Sequence, residues 1–168
     1  GDYAFAFCAC LLVSFCITLT ACGGGGSSIT GGGNTGISGV GAVSEFRAQS
    51  GLALVSAASA YHGGHDGQSV KVGVVDSGID ASHSELAGHA TGGGDWQSAS
   101  NGLFDPFGHG THVASILGGA RDGAGMHGVA PNASLYSYRI LNALGYFGGK
   151  TGNQMVPDVV QASQRHNV

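Results

Sequence analysis

Charge is scarce in this chain: Asp, Glu, Lys and Arg make up 10% of its 168 residues, six basic against ten acidic, with a formal net charge of −4. No block of Lys or Arg occurs, which sets nucleic acid aside as a partner, because a polyanion needs a basic face. Cysteine is missing after residue 22: Cys8, Cys10, Cys16 and Cys22 all fall in or at the end of one apolar run. Residues 23–168 therefore hold no disulfide among themselves and no cysteine-ligated metal. Side chains able to bury area are nearly missing between residues 23 and 41, GGGGSSITGGGNTGISGVG. Residues 23–42 are accordingly expected to be a Gly/Ser-rich tether, with ends roughly 25 Å apart by the random-coil relation.

The apolar run itself, Ala4 to Ala21, carries no charge. It is close to the minimum length for a spanning helix and equally suits an export signal. Leu19-Thr20-Ala21-Cys22 resembles the bacterial lipobox, in which the cysteine thiol receives the lipid. Residues 1–22 are thus expected to be a lipoprotein-type signal peptide with Cys22 as the lipidation site; an uncleaved membrane anchor is the alternative, and both export the rest. Three acyl chains on Cys22 would make the membrane a firm partner. The chain opens Gly1-Asp2, and no Lys or Arg precedes the apolar run, so the start of the leader is expected to lie upstream.

Residues 43–168 read as the globular part. Between Val43 and Tyr61 helix formers predominate, with Leu54, Val55, Ala58 and Tyr61 at helical spacing, which predicts one helix ending at His62-Gly63-Gly64. Val70 to Val75 (VKVGVV) predicts a strand buried on both faces, stopping at Asp76-Ser77-Gly78. Residues 87–108, rich in Gly, Ser, Asn and Asp, predict a long surface loop, and 109–118 a helix bearing Val113, Ile116 and Leu117. ASLYSYRIL (133–141) predicts a strand. A last helix is expected from near Pro157, a favoured first position, with Val159, Val160 and Ala162 inward. The alternation predicts an α/β fold, a parallel sheet flanked by helices, incomplete over this length, with its site at the carboxyl ends of the strands.

Asp76 ends the valine strand, and His109 opens the next helix in Gly108-His109-Gly110-Thr111-His112. A serine hydroxyl needs a neutral imidazole to take its proton, and the imidazolium so formed needs a fixed negative charge. Asp76 and His109 are the residue types for those roles. Taken singly, DSG could be a strand-end turn and HGTH a core histidine or a zinc pair. Zinc, however, needs a third ligand, and Gly110-Thr111 offers no glutamate base of the HExxH kind.

Three segments in this order, VVDSGID (74–80), HGTHVAS (109–115) and GVAPNASLY (128–136), resemble the signatures of the subtilisin-like serine proteases. The resemblance covers roughly residues 50–168, and the tether with its lipobox resembles the lipoprotein autotransporters of that family in Gram-negative outer membranes. It implies that 43–168 is the N-terminal part of a subtilisin-like peptidase domain. The implied function is serine-type endopeptidase on polypeptide substrates, with no cofactor required: Asp76 orients and balances His109, which is general base and acid. His112 is expected to be structural. Gly108 and Gly110 are expected to allow the tight helix entry and to leave the imidazole face open to substrate.

The family nucleophile lies in a downstream Gly-Thr-Ser-x-Ala segment, and Ser115, Ser134, Ser137 and Ser163 have no such context; the oxyanion-hole asparagine also falls beyond the matched stretch. The chain alone is expected to be silent, since removal of the serine costs subtilisin about a millionfold in turnover. The competing reading is a non-catalytic surface lipoprotein with a protease-like domain. The resemblance further implies a strand edge that pairs with extended substrate, for which Gly145, Tyr146 and Phe147 are candidates against an ordinary turn. It also implies calcium as a structural ion at Glu85 and Asp122, against two solvated carboxylates. His62, His65 and Asp66 are expected in an exposed loop rather than a metal site.

Overall fold

A computed structural model describes the backbone from Val40 and the side chains from Ser44, both through Val168. The expected signal segment with Cys22 and nearly all of the tether lie outside the described residues. Three parallel strands, β1 (Lys71–Asp76), β2 (Ala90–Asp95) and β3 (Ser134–Arg139), form a sheet in the order β1-β3-β2. Helix α4 (His109–Gly118) packs on one face and α5 (Gly152–His166) on the other, which is the expected α/β layering.

The period of two along β1 and β3 decides what each face receives. Val72, Val74 and Leu135 point to the α4 side, where they meet Ile79, Leu86, Ala114, Val113 and Leu117. Val75, Tyr136 and Tyr138 point to the α5 side, against Val159, Ala162 and Trp96. Full burial of side chains such as Leu135, Ile79 and Leu86 contributes about 1.5–3 kcal/mol each. Asp76, two residues on from Val74, falls on the α4 face by the same alternation.

Several expectations are corrected. The region 87–108 is not all loop, because Ala90–Asp95 forms β2. Its glycines hid it: a Cβ on Gly93 would lie 2.5 Å from the Tyr138 ring, and one on Gly94 2.8 Å from the Trp96 ring. Neighbouring aromatic rings thus fill the space that alternating side chains would otherwise have advertised.

The single N-terminal helix is three: α1 (Val40–Ala48), α2 (Ser50–Leu54) and α3 (Ala57–His62). The last break falls where Ser56 adopts a left-handed φ of 56°. Leu52 and Ala57 face inward, while Leu54 and Val55 are 85% and 61% exposed. Docking outweighs helical periodicity here. The Tyr61 hydroxyl donates to Val129 O at 3.0 Å, and the rings of Phe46, Tyr61 and His127 cluster at 5.9–6.5 Å.

Helix α5 starts at Gly152, with Thr151 and Gln154 forming a capping box, and Pro157 lies inside it rather than at its start. The reciprocal cap satisfies two end donors and so sets the boundary. Met155, Val159, Ala162 and Ser163 make its buried stripe. On α4, Ile116 is 48% exposed, and Ala114 and Gly118 take the inward positions. Among the described residues no helix is long and apolar enough to cross a membrane.

Candidate active site

The strand register brings three charged residues to one end of the sheet, Asp76 opposite Arg139 and Asp95 opposite Arg139. Asp76 is 5% exposed, and its Oδ1 accepts the N–H of Ser77 at 2.7 Å. Helix α4 begins against this end. Its N-cap Gly108 has φ 87°, a conformation in which a side chain is strained, so the tight entry expected of that glycine is present.

His109 places Nδ1 2.8 Å from Asp76 Oδ2 and 2.9 Å from Oδ1. An ionised carboxylate only accepts, so Nδ1 carries the proton and the basic nitrogen of the neutral ring is Nε2. The histidine side chain is 32% exposed and that of the aspartate 6%. The buried anion therefore orients a ring that solvent, or a substrate, can reach.

A Cβ on Gly110 would run into Gly78 O and approach Asp76 Cβ at 3.1 Å, so its missing side chain lets the start of α4 rest on the strand-end turn. Its N–H donates to the buried Ser77 Oγ at 2.9 Å. His112 is exposed on the outer side of α4.

Asp105 has no place in the motif reading. Its carboxylate accepts the N–H of Gly108 at 2.9 Å, the N–H of Thr111 at 2.8 Å and the Thr111 hydroxyl at 2.6 Å. Burial raises its pKa, but the bonds from the Thr111 hydroxyl and amide, the Ser77 hydroxyl and the Gly108 amide outweigh burial and hold it below the ordinary carboxylate value. The readable signal was Asp-Pro-Phe-Gly just before a helix, since an Asp side chain commonly bonds backbone N–H groups a few residues on.

The hydroxyls excluded as nucleophiles are engaged with backbone: Ser115 donates to Thr111 O at 2.9 Å, Ser137 to Gly102 O at 2.6 Å and Ser163 to Val160 O at 2.8 Å. Ser134 is exposed at the start of β3.

The profile of the subtilase family, Peptidase S8, matches residues 67–167. The chain belongs to the subtilase family. Subtilisin DY of Bacillus licheniformis is 41% identical over 95 residues, 56% of this chain and 34% of its own length. An extracellular serine protease of Serratia marcescens is 36% identical over 131 residues, 72% of this chain and 11% of its own. The crystal structure of a cold adapted subtilisin-like serine proteinase aligns with 60% of this chain and 33% of its own at 30% identity and a TM-score of 0.49. The chain thus spans about a third of subtilisin DY, with Asp76 and His109 both inside the stretch matched by the subtilase profile.

The segment expected to meet substrate lies beside the pair. A Cβ on Gly145, whose φ is 78°, would sit 3.0 Å from the Phe107 ring, and that ring is centred 6.3 Å from the His109 ring. Tyr146 and Phe147 are 65% and 41% exposed. Their carbonyls are occupied, however: Tyr146 O accepts Asn142 N–H at 2.8 Å, and Phe147 O accepts Gln97 Nε2–H at 3.2 Å.

At the loop after α4, Glu85 is 8% exposed and Glu45, reaching in from α1, 2% exposed. Each has a buried Oε2 without a hydrogen-bond partner among the described residues. Gly123 N–H donates to Glu45 Oε1, and a Cβ on Gly125 would run into Glu85 Oε1, so one loop meets both carboxylates. Asp122 is exposed there, its Oδ1 accepting Ala124 N–H at 3.0 Å. Unpaired buried carboxylate oxygens are costly unless a proton or a cation meets them, and oxygen ligands of this kind are the type that calcium takes. Glu45 was missed, although it is the only acid between Asp2 and Asp66.

Among the described residues no cluster of three or more His, Cys, Asp or Glu has the arrangement of a metal site. His62 and His65 are exposed, and Asp66 instead accepts Asn132 Nδ2–H at 2.6 Å and faces Arg121 at 3.8 Å.

Proposed function

We propose that this chain supplies the proton-handling half of a serine endopeptidase centre acting on polypeptides. Asp76 fixes the tautomer and balances charge; His109 takes the proton of the attacking serine at Nε2 and returns it to the leaving amine. The serine and the oxyanion donor come from outside these 168 residues. The observation that carries this reading is the contact of His109 Nδ1 with both Asp76 oxygens at 2.8 and 2.9 Å.

The test compares the 168-residue chain with the same chain continued in frame through the codons that follow Val168. The short chain is expected to leave casein intact, and the continued one to react with a fluorophosphonate probe in a manner that depends on His109 and Asp76. In subtilisin itself the histidine and aspartate are worth about 10⁶-fold and 10⁴-fold in turnover. Inhibitor-sensitive cleavage by the short chain would show that one of its own serines acts. A continued chain that never labels would favour the second reading, a surface lipoprotein with a non-catalytic protease-like domain.

Three narrower proposals accompany this one. Gly145, Tyr146 and Phe147, beside Phe107 and His109, contribute to the substrate edge. Calcium is a structural ion held near Glu85, with Glu45 and the loop around Asp122, supplying positive charge to buried carboxylates and no step of the chemistry. Export is supported by the name of the Serratia relative, an extracellular serine protease. Attachment at a Gram-negative cell surface would follow from Cys22, and loss of palmitate labelling in Cys22→Ala checks it.

A further inference from the structure

Asp105 lies four residues ahead of His109 and reaches over the start of α4 from outside the helix. Its Oδ1 accepts the N–H groups of Phe107 at 3.2 Å and Gly108 at 2.9 Å; its Oδ2 accepts the Thr111 N–H at 2.8 Å and the Thr111 hydroxyl at 2.6 Å. These partners flank His109 on both sides in the chain. The N-cap is Gly108, which makes no side-chain cap bond, and the N–H of Thr111 in the first turn lacks an intrahelical acceptor. Asp105 therefore performs the capping that the glycine cannot.

The same carboxylate is tied to the strand that carries Asp76. Between the helix start and that strand, Ser77 accepts the Gly110 N–H at its Oγ and donates its own N–H to Asp76 Oδ1. Thr111 Oγ1, while donating to Asp105, accepts the N–H of Asp80 at 2.9 Å. One thread thus runs from Asp105 through Thr111 to Asp80 in the turn after β1, and a second tie, from Gly110 through Ser77 to Asp76, starts in the same helical turn. Its partners outweigh burial and hold it ionised, and a negative charge is favourable at a helix N-terminus.

We propose that Asp105 is a positioning residue for His109: it locks the turn from Gly108 to Thr111 in the placement that keeps Nδ1 on both oxygens of Asp76. The proposal rests on the reading of Asp76 and His109 as the proton-handling pair. A cap that served stability alone would, when removed, lower the melting temperature and leave the ring placement of the folded molecules unchanged.

The test is a spectroscopic one on the full 168-residue chain with ¹⁵N-labelled histidine, following the proton on His109 Nδ1 as it exchanges with water. In Asp105→Ala that exchange is expected to be about tenfold faster or more, the factor that follows from losing a hydrogen bond to a charged acceptor. Asp105→Asn, which keeps one oxygen, is expected to be intermediate, and it decides the matter if the alanine variant does not fold. Asp80→Ala removes a carboxylate that caps Ser82 rather than α4, and is expected to leave the Nδ1 signal as it is. A folded Asp105 variant whose Nδ1 proton exchanges as in the parent overturns the proposal and leaves the pair standing. A parent chain in which Asp76 does not hold that proton overturns the pair, and the proposal with it.

Discussion

Replacing Asp95 by Asn removes the charge that faces the most deeply placed cation of the described residues. The Asp95 side chain is fully buried and that of Arg139 6% exposed, with Arg139 Nη1 3.0 Å from Asp95 Oδ2. The two partners are not equally supported. Asp95 also accepts from the Gln97 and Ser98 N–H groups at 2.7 and 2.9 Å, from Ser98 Oγ at 2.8 Å and from Ser100 Oγ. Arg139 has Leu141 O at 3.3 Å, Ser98 Oγ at 3.2 Å and the Phe104 ring at 5.4 Å, but no other carboxylate in its contacts. Losing the anion strands a buried guanidinium, whereas losing the cation leaves an anion that four other donors still satisfy.

Asp95→Asn should therefore cost about 3–5 kcal/mol, a fall in Tm on the order of 10 °C or more for a chain of this size. Arg139→Met should cost less, and the double variant less than the sum of the two. Thermal and urea denaturation followed by circular dichroism read all three. Equal costs for the two single variants, or strict additivity in the double, would refute the asymmetry. The pH dependence has a definite sign. Burial raises the Asp95 pKa, but the bonds from Ser100, Gln97 and Ser98 outweigh it and leave the folded value below the ordinary 3.8. Its stabilisation is thus fully present above about pH 4 and is lost as pH falls through the depressed folded value, so the gap between parent and Asp95→Asn should narrow only in that acid range.

Gly110→Ala is expected to cost about 1–3 kcal/mol or more, because its Cβ meets the rigid backbone at Gly78, whereas Gly118→Ala, at 3.1 Å from the Leu135 side chain, meets an atom able to shift and should cost less; Tm values of the two variants check this. Tyr138→Phe removes a buried hydroxyl without a hydrogen-bond partner among the described residues and should be neutral or stabilising by up to about 1 kcal/mol in urea titration. Calcium at a hundredfold its Kd should raise stability by about 2.7 kcal/mol, and Glu85→Gln should abolish that rise; a melting curve indifferent to calcium and to chelator removes the ion from the account.

What the sequence made legible is what short-range chemistry encodes. Helix α4 begins and ends where its pattern predicts, His109–Gly118, and the valine strand stops at Asp76 as expected. Several of the misses share a cause: deciding information lay elsewhere in the chain. Strand β2 is written in glycines because the rings of Tyr138, distant in the chain, and of Trp96, two residues after Gly94, occupy the adjacent space. Leu54 and Val55 match a helical stripe but turn outward because Phe46 and Tyr61 dock on His127 and the Val129 carbonyl. Glu45 sits far from the loop it meets, so no local spacing announced it. Asp105 was close to His109 in sequence and still overlooked, because its acceptors serve backbone N–H groups and not a catalytic side chain.

The pair at the sheet end draws on β3 for the backbone of Asp76, whose carbonyl accepts the Ile140 N–H at 2.8 Å, and on nearby chain for much of the rest. Strand β1, helix α4, the turn between Asp76 and Asp80 and the loop residue Asp105 supply several of its ties: Ser77 to Gly110, the close approach of Gly110 to Gly78, Thr111 to Asp80, and the capping of α4 by Asp105. All of these fall within residues 76–111. A serine brought from elsewhere would meet an imidazole already carrying its proton on Nδ1 and already facing its anion, which is the preorganisation that general-base catalysis requires. On the proposed reading, supply of the nucleophile and assembly of the base are separable. Variants that disturb the ties should show it in the Nδ1 proton even where no turnover is measurable, and a variant lacking only the serine should leave that proton untouched.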